Sequence, residues 1–556
     1  MPVIELHYDK LKALIKADVS KKEFVDKIPY LGITLEEVAD EYMKVEYNPN
    51  RPDFSTSYGV ARSLNGLFGF EKGAPSYSVK KGEVNLIVDE STQKVRPIVV
   101  SLVAKGLFLD DELIEEIISM QEDLHNGIGR HRRKMSIGIH NLDVITPPIR
   151  YTTVPSDFKF VPLDHEEEMN IGEILKRTDV GKEYGHILSD FNRYPILIDS
   201  LDNVLSFPPI INGELTKLTT YTSNLFIEIT ATDIGTAEDA LAILAATLND
   251  AGAHLESVKV SLGNSVRTTP DMSSQKMEVD IKLANDLLGL NLTEQEVSES
   301  LEKSRISVSS EDGKLIAIIP RYRVDILHLV DLVEEVAYGY GFDRLSPTLI
   351  TSKNAGKPDE TLSLMGSARE VMVGLGYIEV MNYNLVSKKV LHEFTNRKPR
   401  TIVKVENPKS LELELLRDIL FPSLLLVLSK NIHEEYPQKI FEISKVFVKD
   451  ARASTGIREV YHLATAISHS TANYTEAKSS LVSLFSQTFD LKVDTIPTFH
   501  PSFIIGRVAI VRSGKFKLGI IGEIAPVVLE NFRLRNPVTV YEVDLSKILD
   551  IIERKA

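Results

Sequence analysis

No apolar run in this chain is long enough to dominate its fold. The most hydrophobic stretch, Leu420 to Leu428, is broken by Pro422 and flanked by Asp418 and Lys430. A bilayer span needs ~20 apolar residues, so this run is a core element rather than a membrane helix. The remaining apolar residues fall in short runs punctuated by 30 glycines and 25 prolines. Such runs suit strands and short amphipathic helices in several cores. At 556 residues the chain exceeds what one core organises, and roughly three to five domains are expected.

The charge balance is 64 basic against 79 acidic residues, a net charge of −15. Such a surface repels a phosphate backbone, so any nucleic-acid contact must use a local basic patch or a partner chain. Zero cysteines exclude disulfides and thiolate-bound metals and fit a reducing compartment. The first residues, Met1-Pro2-Val3-Ile4-Glu5, do not read as a signal peptide. A cytoplasmic location is expected.

Four regions follow from the patterning. Residues 1–85 mix strands and helices, with Ser20 and Glu23 forming a capping box. The turn-rich Asn48-Pro49-Asn50-Arg51-Pro52-Asp53 then leads into a helix from about Ser55 to Leu67. Residues 86–268 alternate strands such as Leu225–Thr230 with two helices, Asp110–Leu124 and Ala237–Ala251, an α+β arrangement. Residues 269–347 form a small winged-helix-like module, with a hairpin turned at Asp312-Gly313 and a helix from Asp331 to about Tyr338. A polar linker, Lys353 to Pro358, precedes residues 353–556, which read as a mostly antiparallel sheet with helices.

Three constellations carry possible chemistry. Asp331, Glu334 and Glu335 lie at i, i+3 and i+4 on one helical face, and Asp325 can fold back towards them. Converging carboxylates repel, and a hard cation such as Mg²⁺ relieves that repulsion. A helix-capping role for Asp331-x-x-Glu334 explains the same spacing, and spacing alone favours it. The basic loop Gly129-Arg130-His131-Arg132-Arg133-Lys134 offers phosphate contacts, or is simply a solvated cationic turn. Phe207-Pro208-Pro209-Ile210-Ile211-Asn212-Gly213 is a rigid segment ahead of the strand carrying Glu228. Alternation alone reads Glu228 as an ordinary surface residue. The Walker, dinucleotide-binding, HExxH and GxSxG motifs are absent, and His140, His165 and His186 are scattered.

In order along the chain, these pieces resemble the beta subunit of phenylalanyl-tRNA synthetases, archaeal and eukaryotic cytosolic type. The resemblance rests on Asn50-Arg51-Pro52-Asp53 with Gly59-Val60-Ala61-Arg62, and on Gly129 to Lys134 with Ser136-Ile137-Gly138-Ile139-His140. It continues through Phe207 to Gly213, then Arg323-Val324-Asp325-Ile326, Asp331 to Ala337 and Tyr340-Gly341-Phe342. It implies an editing domain over 86–268 and Mg²⁺ at Asp325, Asp331, Glu334 and Glu335, which reverses the preference drawn from spacing. Towards the C-terminus, Gly374 to Val380, Ile440-Phe441-Glu442-Ile443 and Gly519 to Ile524 resemble class II synthetase motifs without their arginines. A working site needs guanidinium groups on the ATP phosphates. The resemblance therefore implies a catalytically inactive class II domain and an active alpha subunit in an (αβ)₂ heterotetramer, which supplies ATP and phenylalanine handling.

The implied function is a ligase: ATP-dependent attachment of phenylalanine to its tRNA, with hydrolysis of mischarged Tyr-tRNA by this chain. Glu228 and Asn212 are the editing candidates, and Arg130, Arg132, Arg133 and Lys134 the RNA-contact candidates. The alternative is a non-enzymatic RNA-binding or assembly scaffold built from synthetase-like domains.

Overall fold

The computed structural model describes residues 2–350, 354–399 and 402–553. Lys353 of the expected linker lies outside the described residues, as does Thr401, the first residue of a strand that the sequence suggests over Thr401–Val405. The chain divides into two compact units, Met1–Leu349 and Ile350–Ala556.

The first unit begins with an antiparallel three-stranded sheet in the order Val3–His7, Tyr42–Glu46, Thr34–Val38. The helix Lys21–Lys27 starts where expected, with Ser20 and Glu23 capping each other reciprocally. Pro52–Ser55 winds into a short 3₁₀ turn, a tighter element than the expected loop, and the helix Ser57–Leu67 follows with Thr56 as its cap.

A ten-stranded mixed sheet forms the centre of this unit. Its first strand, Val79–Val88, spans the boundary expected at 85/86. The edge nearest the site runs His254–Leu262, Ile98–Lys105, Leu225–Ala231, Met135–Asn141. All seven residues of Leu225–Ala231 are buried, because both faces of the sheet are covered. Ile227 and Ile229 pack with Ile137 and Ile139 under the helices Asp111–Asn126 and Ile234–Asp250. Phe226 faces the other way, among Val99, Val103, Leu197 and Leu205.

The small module is a three-stranded sheet, Gln275–Glu278, Lys314–Ile319, Ser307–Glu311, with helices Ile281–Leu288, Glu294–Lys303 and Leu329–Tyr340. Its hairpin turns at Asp312 and Gly313 with φ of 50° and 75°, the conformation a tight two-residue turn requires.

The second unit is a seven-stranded sheet, antiparallel except that Ile378–Glu379 pairs parallel with Gln438–Lys449. Helices Glu360–Gly374, Tyr474–Thr488 and Leu545–Glu553 carry residues of one core, and Phe421–Lys430 with Pro526–Asn531 those of another. The multidomain α+β expectation holds. Among the described residues no helix is long and apolar enough to cross a membrane.

Candidate functional site

Strand register creates the site. Within Leu225–Ala231, Glu228 stands opposite Ser101 on one neighbour and Gly138 on the other. Its flanking isoleucines point into the helical core, so the carboxylate is turned to the opposite face. Only 2% of Glu228 is exposed. This corrects the surface reading that alternation suggests: a strand buried on both faces can carry its charge inside.

The Glu228 carboxylate is half satisfied. Ser206 Oγ donates to Oε1 at 2.8 Å, whereas Oε2 is buried with no hydrogen-bond partner. His140, fully buried, holds Thr216 Oγ1 through Nδ1 at 2.8 Å. Its Nε2 has no hydrogen bond and lies 3.9 Å from Glu228 Oε1. Gly138 lies between them, and a Cβ there would displace one or both groups. An unsatisfied buried polar atom costs ~1–3 kcal/mol, so two on neighbouring side chains single this place out as a candidate binding site.

Glu228 lines a cavity of about 400 Å³. Ile114 and Ile118 of one helix, Ile137 and Ile139 of the edge strand, and the segment Phe207 to Asn212 supply its apolar walls. Asn212 lines it too, with no side-chain hydrogen bond among the described residues. At its rim His125 accepts from Ile137 N–H at Nε2 (2.8 Å), so Nδ1 carries the proton and donates to Glu122 at 3.1 Å. Burial pushes the Glu122 carboxyl up, but His125 and Arg132 outweigh it and hold it at about 2. Behind the site, burial pulls the Arg96 guanidinium down to about 10, against the opposing pull of Tyr151 and Glu228. Arg96 bonds Thr230 Oγ1 (3.0 Å) and the Thr230 carbonyl (2.9 Å), fixing the strand beside Glu228.

The basic loop divides. Arg130, His131 and Arg132 adopt φ of 49°, 54° and 62°, three successive left-handed residues. That backbone turns Arg132 inward, where it binds the carbonyls of Pro209 (3.3 Å) and Ile210 (3.0 Å) and Glu122 (2.8 Å), and stacks over Tyr184. Arg132 therefore braces the cavity wall. Arg130 and Arg133 are exposed, and Lys134 lies 3.7 Å from Asp233.

The acidic quartet is not one cluster. Arg323 binds Asp325 in a two-point contact (2.9 and 2.7 Å) and also holds Glu335. Arg51 grips Asp53 at 2.9 Å twice and approaches Asp325 at 4.0 Å, while Arg62 lies 3.7 Å from Asp53. Three guanidiniums thus balance Asp53, Asp325 and Glu335. Burial raises the Asp325 carboxyl, yet Arg323 outweighs it and lowers it to about 2. Asp331 accepts the backbone N–H groups of Leu327 and His328, both at 2.7 Å, as the third residue of a helix that begins at Leu329. Capping is correct in kind, but Asp331 is not the cap residue itself. Glu334 is exposed and accepts from Tyr338 Oη at 3.0 Å. With Arg323 in place, Asp325 and Glu335 do not fit as metal ligands. Among the described residues no group of three or more potential ligands is gathered.

Comparison with known proteins decides the family. The chain is 42% identical to the phenylalanine–tRNA ligase beta subunit of Archaeoglobus fulgidus over 99% of both chains. It is 37% identical to that of Methanococcoides burtonii over 98% of this chain and 100% of the other. It belongs to the phenylalanine–tRNA ligase beta subunit family. Family models for the tRNA synthetase B5 domain and the phenylalanyl tRNA synthetase beta chain CLM domain match residues 277–342 and 345–545. An N-terminal fragment of the Pyrococcus horikoshii beta subunit superposes with a TM-score of 0.59 at 37% identity, covering 61% of this chain and all of the fragment. The chain is thus one part of an aminoacyl-tRNA ligase.

Within the beta-subunit CLM region, the strand Gln438–Lys449 buries Glu442, and Arg417 meets it at 2.8 Å with neither side chain exposed beyond 1%. Sequence reading passed over Arg417. Its guanidinium also binds Ser444 Oγ (2.7 Å) and the Lys445 carbonyl (3.2 Å), so it is used internally. Glu542 accepts the N–H groups of Leu420 and Phe421 and contacts His462 at 2.6 Å. Exposed Val373, Ile378, Met381 and Tyr383 lie on or beside the segment that resembles a class II interface motif.

Proposed function

We propose that this chain pairs with an alpha subunit in an (αβ)₂ ligase, and that its own chemistry is hydrolysis of Tyr-tRNA in the Glu228 cavity. The partner, on this reading, binds ATP and phenylalanine and forms the ester with tRNA. The observation that carries the editing role is the buried, partnerless Oε2 of Glu228 in a mostly apolar cavity. A tyrosyl side chain adds one hydroxyl to phenylalanine, and a purely hydrophobic pocket discriminates poorly on that basis. A desolvated carboxylate oxygen reverses the preference. The phenol donates to Oε2, whereas a phenyl ring would seal that oxygen away unpaired.

Other residues then take defined roles. Ser206 holds Oε1, Gly138 keeps space open beside His140, and Asn212 offers a second polar contact. Arg130 and Arg133 remain the RNA-contact candidates, joined by Lys134, while Arg132 shapes the wall. The exposed apolar groups around Ile378 and Met381 suit a subunit contact. Magnesium chemistry on this reading belongs with ATP on the partner. On this chain Asp331 and Glu334 each keep an oxygen free of hydrogen bonds among the described residues, and could hold an ion only with outside ligands. The assembly works where its tRNA is used, in the cytoplasm.

Co-expression with an alpha subunit and misacylation assays test the proposal. Glu228→Ala is expected to leave phenylalanylation intact while Tyr-tRNA accumulates. An unchanged Tyr-tRNA level would remove Glu228 from the function. Failure of the assembled wild-type complex to deacylate Tyr-tRNA would leave the scaffold alternative.

A further inference from the structure

Two aromatic rings on loops that adjoin cavity-lining residues in the chain are almost fully exposed. Phe108 is 84% exposed and Tyr221 95%. Their backbones are nevertheless fixed. Phe108 sits between Leu107 and Leu109, which are 4% and 1% exposed and belong to the helical core. Tyr221 lies in a turn closed by Thr222 N–H to the Thr219 carbonyl (2.9 Å) and Thr219 N–H to Thr222 Oγ1 (3.1 Å). The two loops are also tied together. Leu107 N–H donates to the Ser223 carbonyl (3.0 Å), Ser223 Oγ to the Leu107 carbonyl (3.2 Å), and Gly106 N–H to Asn224 Oδ1 (3.2 Å).

These loops lead directly into the cavity wall. Lys217 and Leu218 line the cavity a few residues before Tyr221, and Ile114 lines it one helical turn beyond the loop of Phe108. Ordered loops that present large rings to water forgo burial for both, a pattern that marks a contact surface.

We infer that Phe108 and Tyr221 form a stacking platform for the unpaired 3′ end of the tRNA whose aminoacyl ester enters the Glu228 cavity. The inference rests on the deacylation proposed above. Three observations select single-stranded RNA as the occupant. The nucleotides next to an ester held in the cavity must leave it past its lining, which both loops adjoin in the chain. Aromatic faces stack on any base without reading its identity, as a constant 3′ terminus requires. The lysines that flank the two loops in sequence are already engaged, Lys217 with Asp164 and Lys105 with Glu256. With those lysines paired and a net charge of −15 on the chain, stacking supplies the contact at these two loops.

The test uses the assembled complex carrying Phe108→Ala and Tyr221→Ala together. Deacylation of Tyr-tRNA should keep its kcat while KM rises roughly tenfold, as expected for losing stacking on one or two bases. Replacing both rings with tryptophan should restore KM. The chain contains no tryptophan, so the full chain with Tyr221→Trp also gains a single emission reporter. A hairpin RNA ending in unpaired CCA should quench that emission, whereas the same hairpin with a blunt end should not. Unchanged KM in the double alanine variant, or quenching without regard to the unpaired end, overturns the inference. So does loss of the alpha subunit from the double variant, measured by mass, which would assign these rings to a protein interface. A wild-type complex without deacylase activity would defeat the functional reading, and the quenching result would still decide the platform.

Discussion

Two groups of buried charge in the first unit differ in whether their carboxylates are paired with guanidinium groups. Around Arg323 they are: Asp325 and Glu335 share one guanidinium, and Asp53 is gripped by Arg51. Arg62 leaves Nε and Nη2 without hydrogen bonds, but its guanidinium lies 4.0 Å from the centre of the Tyr322 ring. Around Glu228 the bonds are left open, with one carboxylate oxygen and one imidazole nitrogen buried and unused. The first arrangement holds the motif Asn50–Asp53 against the small module. The second stores unmet hydrogen-bonding capacity beside a cavity. Satisfied buried charge builds structure, and unsatisfied buried charge prepares for a ligand.

Breaking the satisfied network should have the largest effect on stability. Arg323→Met leaves two carboxylates buried and unpaired and is expected to cost ~3–5 kcal/mol. The measurement is denaturant unfolding of the assembled complex. The triple change Arg323→Met, Asp325→Leu, Glu335→Leu should recover most of that loss, because no lone charge remains. Chelation of divalent ions should shift the midpoint far less than Arg323→Met does, and a larger shift from chelation would restore the metal reading for these two residues.

Acid should weaken the same network. The Asp325 carboxyl is lowered from 3.8 to about 2. Its contribution is therefore complete above pH ~4 and is lost as pH falls through about 2, a change of about 2 kcal/mol. Asp325→Asn should flatten this acid limb of the stability profile, and a profile identical to wild type would mean the ion pair is not formed in solution.

Filling the gap in the unsatisfied site should act on function more than on folding. Gly138→Ala pushes a methyl against Glu228 and His140. Deacylation should fall about tenfold, for a packing cost of ~1–3 kcal/mol. Equal loss in phenylalanylation would mean the change is a general disruption. The smallest effect sets the scale for local structure: Ser20→Ala removes a cap remote from both groups and should cost about 1 kcal/mol in a thermal melt, with deacylation unchanged.

Features determined by neighbours in sequence were legible. The Ser20–Glu23 box, the Asp312-Gly313 hairpin and the helix after Pro52 all depend on residues within a turn of one another. The mostly antiparallel sheet with helices expected for the C-terminal region is also present, as seven strands. Long-range pairing was not legible. Glu228 reads as a surface residue until its register against Ser101 and Gly138 is known, since alternation fixes a face and not what covers it. His140 looked isolated for the same reason, although it lies one pleat from Gly138 on the paired strand. For the acidic quartet, helical spacing correctly placed Asp331, Glu334 and Glu335 on one helix. It could not show that Arg323 lies between Asp325 and Glu335, a contact that depends on how the loop returns. The inward course of Arg132 was not legible, since it follows three consecutive left-handed residues and no propensity predicts such a run.

The relative deacylation rates of Tyr-tRNA and Phe-tRNA, measured with wild-type and Glu228→Ala complexes, test the reading of the cavity most directly. Wild type should hydrolyse the tyrosyl ester far faster than the phenylalanyl one, and the variant should lose that ratio chiefly by slowing on the tyrosyl ester. An undiminished ratio in the variant would show that the phenol is recognised elsewhere.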